Sequence, residues 1–120
     1  MTAKIPAVKT GYTRREFNSL FQVYSAQVYT GLFRDFSVIE ARNGYYLAFR
    51  EEAGKDPLIT IEKRILGPER VLFIGYTIGF KGKSLEIARS EKLESFIAQL
   101  QDFIEKVKLS RCDNVKQLFG

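Results

Sequence analysis

Asn43-Gly44 sits between two stretches of alternating apolar and polar residues, and it constrains the fold more than any other pair in the chain. Both central positions of the tightest hairpin loop need positive φ, and Asn-Gly tolerates this best, so the pair predicts a type I′ turn. Before it, Phe36 and Val38 begin a strand that runs to about residue 42. After it, Tyr45, Leu47 and Phe49 alternate with Tyr46, Ala48 and Arg50. A period of two sorts each set onto one face, so this stretch reads as an antiparallel hairpin with one buried side.

The flanking segments carry different periods. Residues 1–12, with Pro6, Gly11 and few apolar groups, read as a flexible arm. Thr13-Arg14-Arg15-Glu16 has the form of a capping box, and Phe17, Leu20, Phe21, Tyr24 and Val28 follow at helical spacing as far as Gly31, which is placed to end the helix. The polar stretch 51–57 reads as a loop. Leu58, Ile59 and Ile61 then lead a third strand toward Glu62-Lys63-Arg64, Gly67-Pro68-Glu69-Arg70 makes a turn, and residues 71–80 form a fourth strand. On that strand Leu72, Ile74, Tyr76, Ile78 and Phe80 share one face. Gly75 and Gly79 lie on the other with Val71, Phe73 and Thr77, inviting a bend, a bulge or close approach of another backbone. Residues 84–88 read as a short fifth strand or an extended connection. Ser90 is a good N-cap for a helix over 91–109, with Leu93, Phe96, Ile97, Leu100, Phe103, Ile104 and Val107 as its apolar stripe.

The order α-β-β-β-β-(β)-α, with hairpin-length connections between most strands, predicts an α+β fold. An N-terminal helix, a four- to five-stranded antiparallel sheet and a long C-terminal helix would form two layers. The expected organisation is an arm over 1–12, one domain over 13–109 and a C-terminal tail over 110–120, whose Val115, Leu118 and Phe119 suit docking. Two striped helices cover only one face of such a sheet. The other meets solvent, a second subunit or a ligand, and would be mixed aromatic and charged if Tyr46, Arg50, Thr60, Glu62, Arg64 and Thr77 lie there.

Composition narrows the function. A chain of 120 residues suits one core, and 45% hydrophobic with 28% charged residues is ordinary for a globular domain. The longest apolar run falls short of the roughly 20 residues that cross a bilayer, and the N-terminus lacks a signal-peptide block, so a cytoplasmic protein with no membrane role is expected. The chain has one cysteine, Cys112, and no histidine. That removes an internal disulfide, the usual zinc sites and the common Cys-His and Ser-His nucleophile pairs. Its acidic residues are scattered singly, mostly beside basic ones. The expectation is a protein that is no enzyme and holds no metal or cofactor. The net charge of +5 and pI near 9.4 favour polyanionic partners, with the excess concentrated at the N-terminus in Lys4, Lys9, Arg14 and Arg15.

Val23-Tyr24, Val28, Gly31 and Arg34-Asp35, followed by Phe49-Arg50, Pro57-Leu58 and Ile61-Glu62-Lys63, resemble the bacterial domain of unknown function 2794 family. That family has the same Val-Tyr, Gly, Arg-Asp, Phe-Arg and Pro-Leu-x-x-Ile-Glu-Lys succession. The resemblance covers roughly residues 14–100 and departs at Phe33, where the family tends to have tryptophan, and in a loop before Pro57 that is one residue longer. It implies a compact bacterial cytosolic domain and assigns no catalytic residue. A second likeness is one of pattern over about residues 33–108: four strands, then Lys81-Gly82-Lys83, then a long helix. This is similar to the positive-cofactor and Whirly class of single-stranded DNA binders, which implies lysines on the sheet and dimerisation through C-terminal helices.

Lys81 and Lys83 flank a glycine that lets a backbone approach closely, and Ser84 adds a hydroxyl, which suits contact with phosphate. The competing reading is a charged turn that blunts a strand end. It is not a nucleotide-binding loop, because that spacing needs glycine where Thr77 stands. Arg34, Arg42, Arg50, Lys63 and Arg64 interleave with Phe33, Tyr45, Tyr46 and Phe49, cations for phosphates and rings for stacking bases. Asp35, Glu40, Glu51 and Glu62 sit among them and would pair them off across strands in the competing reading. Tyr45 and Tyr46 point to opposite faces. Arg34-Asp35 is read as a structural ion pair at the helix-strand junction.

Two functions follow. The first is a non-enzymatic module for nucleic acid, single-stranded DNA or RNA, with Lys81, Lys83, Lys63, Arg64, Arg50, Arg34 and Tyr46 as its contacts. The alternative is a protein-interaction or assembly module, a homodimer or a subunit of a larger complex, using the open sheet face or the C-terminal helix.

Overall fold

The computed structural model describes residues 11–42, 44–79 and 82–119, with side chains through Arg111. Thr13 and Glu16 cap α1 (Arg14–Tyr29) as expected: the Glu16 amide donates to Thr13 Oγ1 at 3.1 Å and the Thr13 amide donates to Glu16 Oε1 at 2.8 Å. The helix ends in a Schellman motif. Gly31, at φ 83°, donates to the Val28 carbonyl and Leu32 donates to that of Gln27. The left-handed φ explains why glycine stands there.

Five strands follow, β1 (Asp35–Ala41), β2 (Gly44–Arg50), β3 (Ile59–Gly67), β4 (Arg70–Ile78) and β5 (Ser84–Ser90), and then α2 (Leu93–Phe119). The sheet order is β1-β2-β3-β4-β5, and every neighbouring pair is antiparallel. The α+β order expected from the sequence is therefore the order observed, with β5 a full strand. The first hairpin differs in its turn. Ala41 pairs with Gly44, so the loop positions are 42 and 43, one residue earlier than expected; Asn43 itself lies outside the described residues. The β3–β4 hairpin closes Gly67 on Arg70 around Pro68-Glu69, with Glu69 at φ 59°. That is the φ > 0 position that follows proline in a type II turn.

Both helices lie on one face. Leu20, Val23 and Tyr24 of α1 and Leu93, Phe96, Leu100 and Ile104 of α2 pack with Leu47, Phe49, Ile59, Ile61, Phe73 and Ala88 of the sheet. Tyr24 anchors the aromatic end of this core, stacked on Phe33 at 5.9 Å and against Phe36 and Phe49 at 5.2 and 5.5 Å. Gly75 faces the helices. A Cβ there would lie 3.1 Å from Leu100 Cδ2, so the missing side chain sets how closely α2 approaches β4.

Two expected boundaries move. Of the arm expected over 1–12, residues 1–10 lie outside the described residues, but Tyr12 is a core residue, 1% exposed. Its hydroxyl donates to the Tyr45 carbonyl at 2.9 Å. At the other end, α2 starts at Leu93, because Ser90 belongs to β5 and its hydroxyl accepts from the Lys92 amide at 3.0 Å. The helix then continues ten residues past the expected end at 109. The apolar stripe lapses at Arg111-Cys112-Asp113-Asn114, but no glycine or proline interrupts the segment, so the backbone helix persists. Arg111 pairs with Glu51 and ties this part of α2 to the β2–β3 loop.

Candidate interaction surface

The registers place the side chains of the uncovered face in rows running across the strands. One row contains Ser37, Ala48, Thr60, Tyr76 and Glu86; the next contains Ile39, Tyr46, Glu62, Ile74 and Arg89. Beyond these lie Ile78 at one margin and Arg64 with Leu72 at the other. The fourth strand therefore turns its continuous apolar side outward. Thr77, expected on the open face, lies on the helix side beside Gly75, because only the glycine-bearing side of β4 leaves room for α2.

Acids and bases on this face balance. Asp35, Glu62 and Glu86 are paired with Arg50, Arg64 and Arg89 at 3.3, 2.8 and 2.9 Å. Glu62 is the centre of the network: its carboxylate accepts from Arg64 Nε and from the Tyr76 hydroxyl at 2.9 Å, and its side chain is 8% exposed. Partial burial, followed by this hydrogen bond, raises the pKa of the Tyr76 phenol. The Glu62 hydrogen bond raises that of Arg64 in turn, and the bond from Arg89 holds Glu86 below the usual carboxylate range. Each cation is thus held by an acid of its own face. Between these pairs the surface is aromatic and aliphatic. Ile74 is fully buried and Ala48 almost so, roofed by their neighbours, whereas Ile39 and Ile78 are 43% and 44% exposed at opposite flanks.

The residues expected to contact nucleic acid do not converge. Arg50, Arg64 and Tyr46 lie on the open face, with both arginines paired as above. Lys63 does not. It faces the helices, 5% exposed, with its ammonium 3.0 Å from the Gly11 carbonyl and 2.6 Å from Glu16 Oε1, and over the Tyr12 ring. Adjacent strand residues point to opposite faces, so Lys63 and Arg64 could not both serve one surface. Arg34 is exposed at the start of β1, its amide donating to the Arg50 carbonyl; its neighbour Asp35 pairs across the strands with Arg50, and so replaces the expected Arg34-Asp35 pair. Lys83 is exposed in the β4–β5 connection beside Gly82, whose φ is 75°; Lys81 lies outside the described residues. Arg64 faces Leu72, whereas Gly79 donates to the Lys83 carbonyl. The strand from Leu72 to Gly79 keeps those two cations about 23 Å apart at 3.3 Å per residue.

Sequence reasoning did not mark Leu72, Ile74 and Ile78 as outward-facing. Their shared face was legible, but which face the helices cover is set by the Gly75–Leu100 approach, a contact between segments far apart in the chain. Among the described residues no cluster of three or more potential metal-ligating side chains occurs, and no helix is long and apolar enough to cross a membrane. Compared with known proteins, no family model matches the chain, and no curated protein or solved structure is significantly similar to it.

Proposed function

We propose that this chain is a non-enzymatic protein-interaction module whose working surface is the uncovered face of its sheet. The observation that carries the reading is the internal pairing of Asp35, Glu62 and Glu86 with three arginines, with Ile39 and Ile78 exposed at the flanks of the face. A surface without net charge offers a polyanion little long-range attraction. Aromatic residues, arginine and exposed aliphatics, with charges satisfied in place, are what a protein interface is made of. Sedimentation at low and high salt tests it. Association that survives high salt and is lost in Ile39→Lys/Ile78→Lys is expected; association indifferent to those substitutions would contradict it.

A second reading keeps a specific observation in its favour. The exposed Lys83 beside Gly82, with Lys81 next to it in sequence and a net charge of +5, is compatible with contact to the phosphates of single-stranded DNA or RNA at one end of the sheet. Fluorescence anisotropy with labelled single strands separates the two. The nucleic-acid reading requires binding at low salt that falls steeply with added salt and weakens in Lys83→Glu.

A further inference from the structure

Resting on the interaction-surface reading, we infer that the partner of the open face is a second copy of this chain, stacked face to face about a two-fold axis that runs between the two sheets, parallel to them and across the strands. Such an axis sets each strand over its own copy and exchanges rows. The row of Ala48, Tyr76 and Glu86 then meets the row of Tyr46, Ile74 and Arg89. Two juxtapositions of solvent-accessible side chains follow from the registers. Ile78 meets Leu72, and Glu86 meets Arg89, each twice by symmetry. Aliphatic opposes aliphatic, and acid opposes base. The alternative axis, parallel to the strands over β3, sets Glu62 over Glu62 and Arg64 over Arg64 and puts Glu86 and Arg89 opposite Ser37 and Ile39, so the acid–base match is lost.

Charge and area agree with that geometry. Since the face neutralises itself, the two faces set no uncompensated like charge against each other. Five strands with seven-residue outer elements define the face. At strand spacings of about 4.8 Å and rises of about 3.3 Å its footprint is about 550 Å² per copy. The pair then buries about 1,100 Å², at the lower end for specific interfaces, which fits a reversible dimer.

The test uses charge exchange between two variants of the full chain, with mass by light scattering and folding checked by circular dichroism. Both Glu86 and Arg89 are exposed, so single substitutions leave the core intact. Glu86→Arg and Arg89→Glu alone each set like charges against one another across the axis and weaken self-association by about tenfold or more. Mixed together, the two variants regain opposite charges at both sites, and a mixed dimer forms. Restoration on mixing supports the inference. A wild-type chain that stays monomeric at high concentration overturns it while leaving a different protein partner for the same face. A wild-type dimer indifferent to both variants and to Ile78→Lys, but lost in Leu109→Glu on α2, overturns this inference and the interaction-surface reading together.

Discussion

Lys63 Nζ lies 2.6 Å from Glu16 Oε1, so the residue that completes the α1 capping box also holds a buried cation of β3. The pair joins the first helix to the centre of the sheet, and the Gly11 carbonyl and Tyr12 ring close over the ammonium. Removing one partner leaves the other charge buried and uncompensated. Lys63→Met or Glu16→Gln is therefore expected to lower stability by about 3 kcal/mol. The double substitution should cost clearly less than the sum, because no lone charge remains. Urea unfolding of the four proteins measures this, and strict additivity would contradict the pairing.

Burial pushes the Tyr12 phenol far above its ordinary value, with the Glu16 and Glu62 charges adding to the effect. The folded state keeps that proton while the unfolded chain releases it near pH 10, so the contribution is complete below that pH and declines above it. Thermal melts between neutral and strongly alkaline pH should show wild-type stability falling above about pH 10. In Tyr12→Phe the fall should be shallower. Identical alkaline slopes would mean that Tyr12 is not the buried phenol described.

Gly75 leaves room for Leu100, since a Cβ would sit 3.1 Å from its Cδ2 and 3.4 Å from Ala88 Cβ. Gly75→Ala should cost about 1 kcal/mol and Gly75→Val about 3 kcal/mol, as overpacking forces α2 outward. Chemical denaturation of the two variants checks the order. A neutral Gly75→Val would show that α2 does not lean on β4 at this point.

Glu69 holds φ at 59° in the Pro68-Glu69 turn, a conformation that disfavours most side chains. Glycine relieves that strain at some cost in unfolded-chain entropy, so Glu69→Gly should stabilise by about 0.5–1 kcal/mol. The side chain is exposed, so little packing changes. A loss of stability in urea would contradict the left-handed turn.

Local chemistry made much of the fold legible. The Thr13–Glu16 box, Gly31 and the alternation through Tyr45-Arg50 are signals written within a few residues of the structure they produce. What stayed hidden depends on distant partners. Tyr12 has no periodic neighbour to betray it, and its slot exists only once β2 and β3 pair. The continuation of α2 to Phe119 was hidden by the lapse of the apolar stripe over Arg111-Cys112-Asp113-Asn114, which separates Val115, Leu118 and Phe119 from the rest of the stripe. Lys63 looked like a surface cation because Lys63-Arg64 reads as a basic pair, and only the Tyr45↔Lys63 register turns it inward. The candidate surface was legible as an open face, and charge pairing across its strands was one of the two readings its residues allowed; which acid meets which arginine is a property of register.

Self-association through the open face of the sheet, as proposed, is best decided by amide and methyl chemical shifts followed by NMR over a dilution series. The expected result is concentration-dependent shifts grouped at Ile39, Tyr46, Tyr76 and Ile78, with α1 and α2 unmoved. Shifts grouped along α2 around Leu109 and Arg111, or none at any concentration, would contradict it.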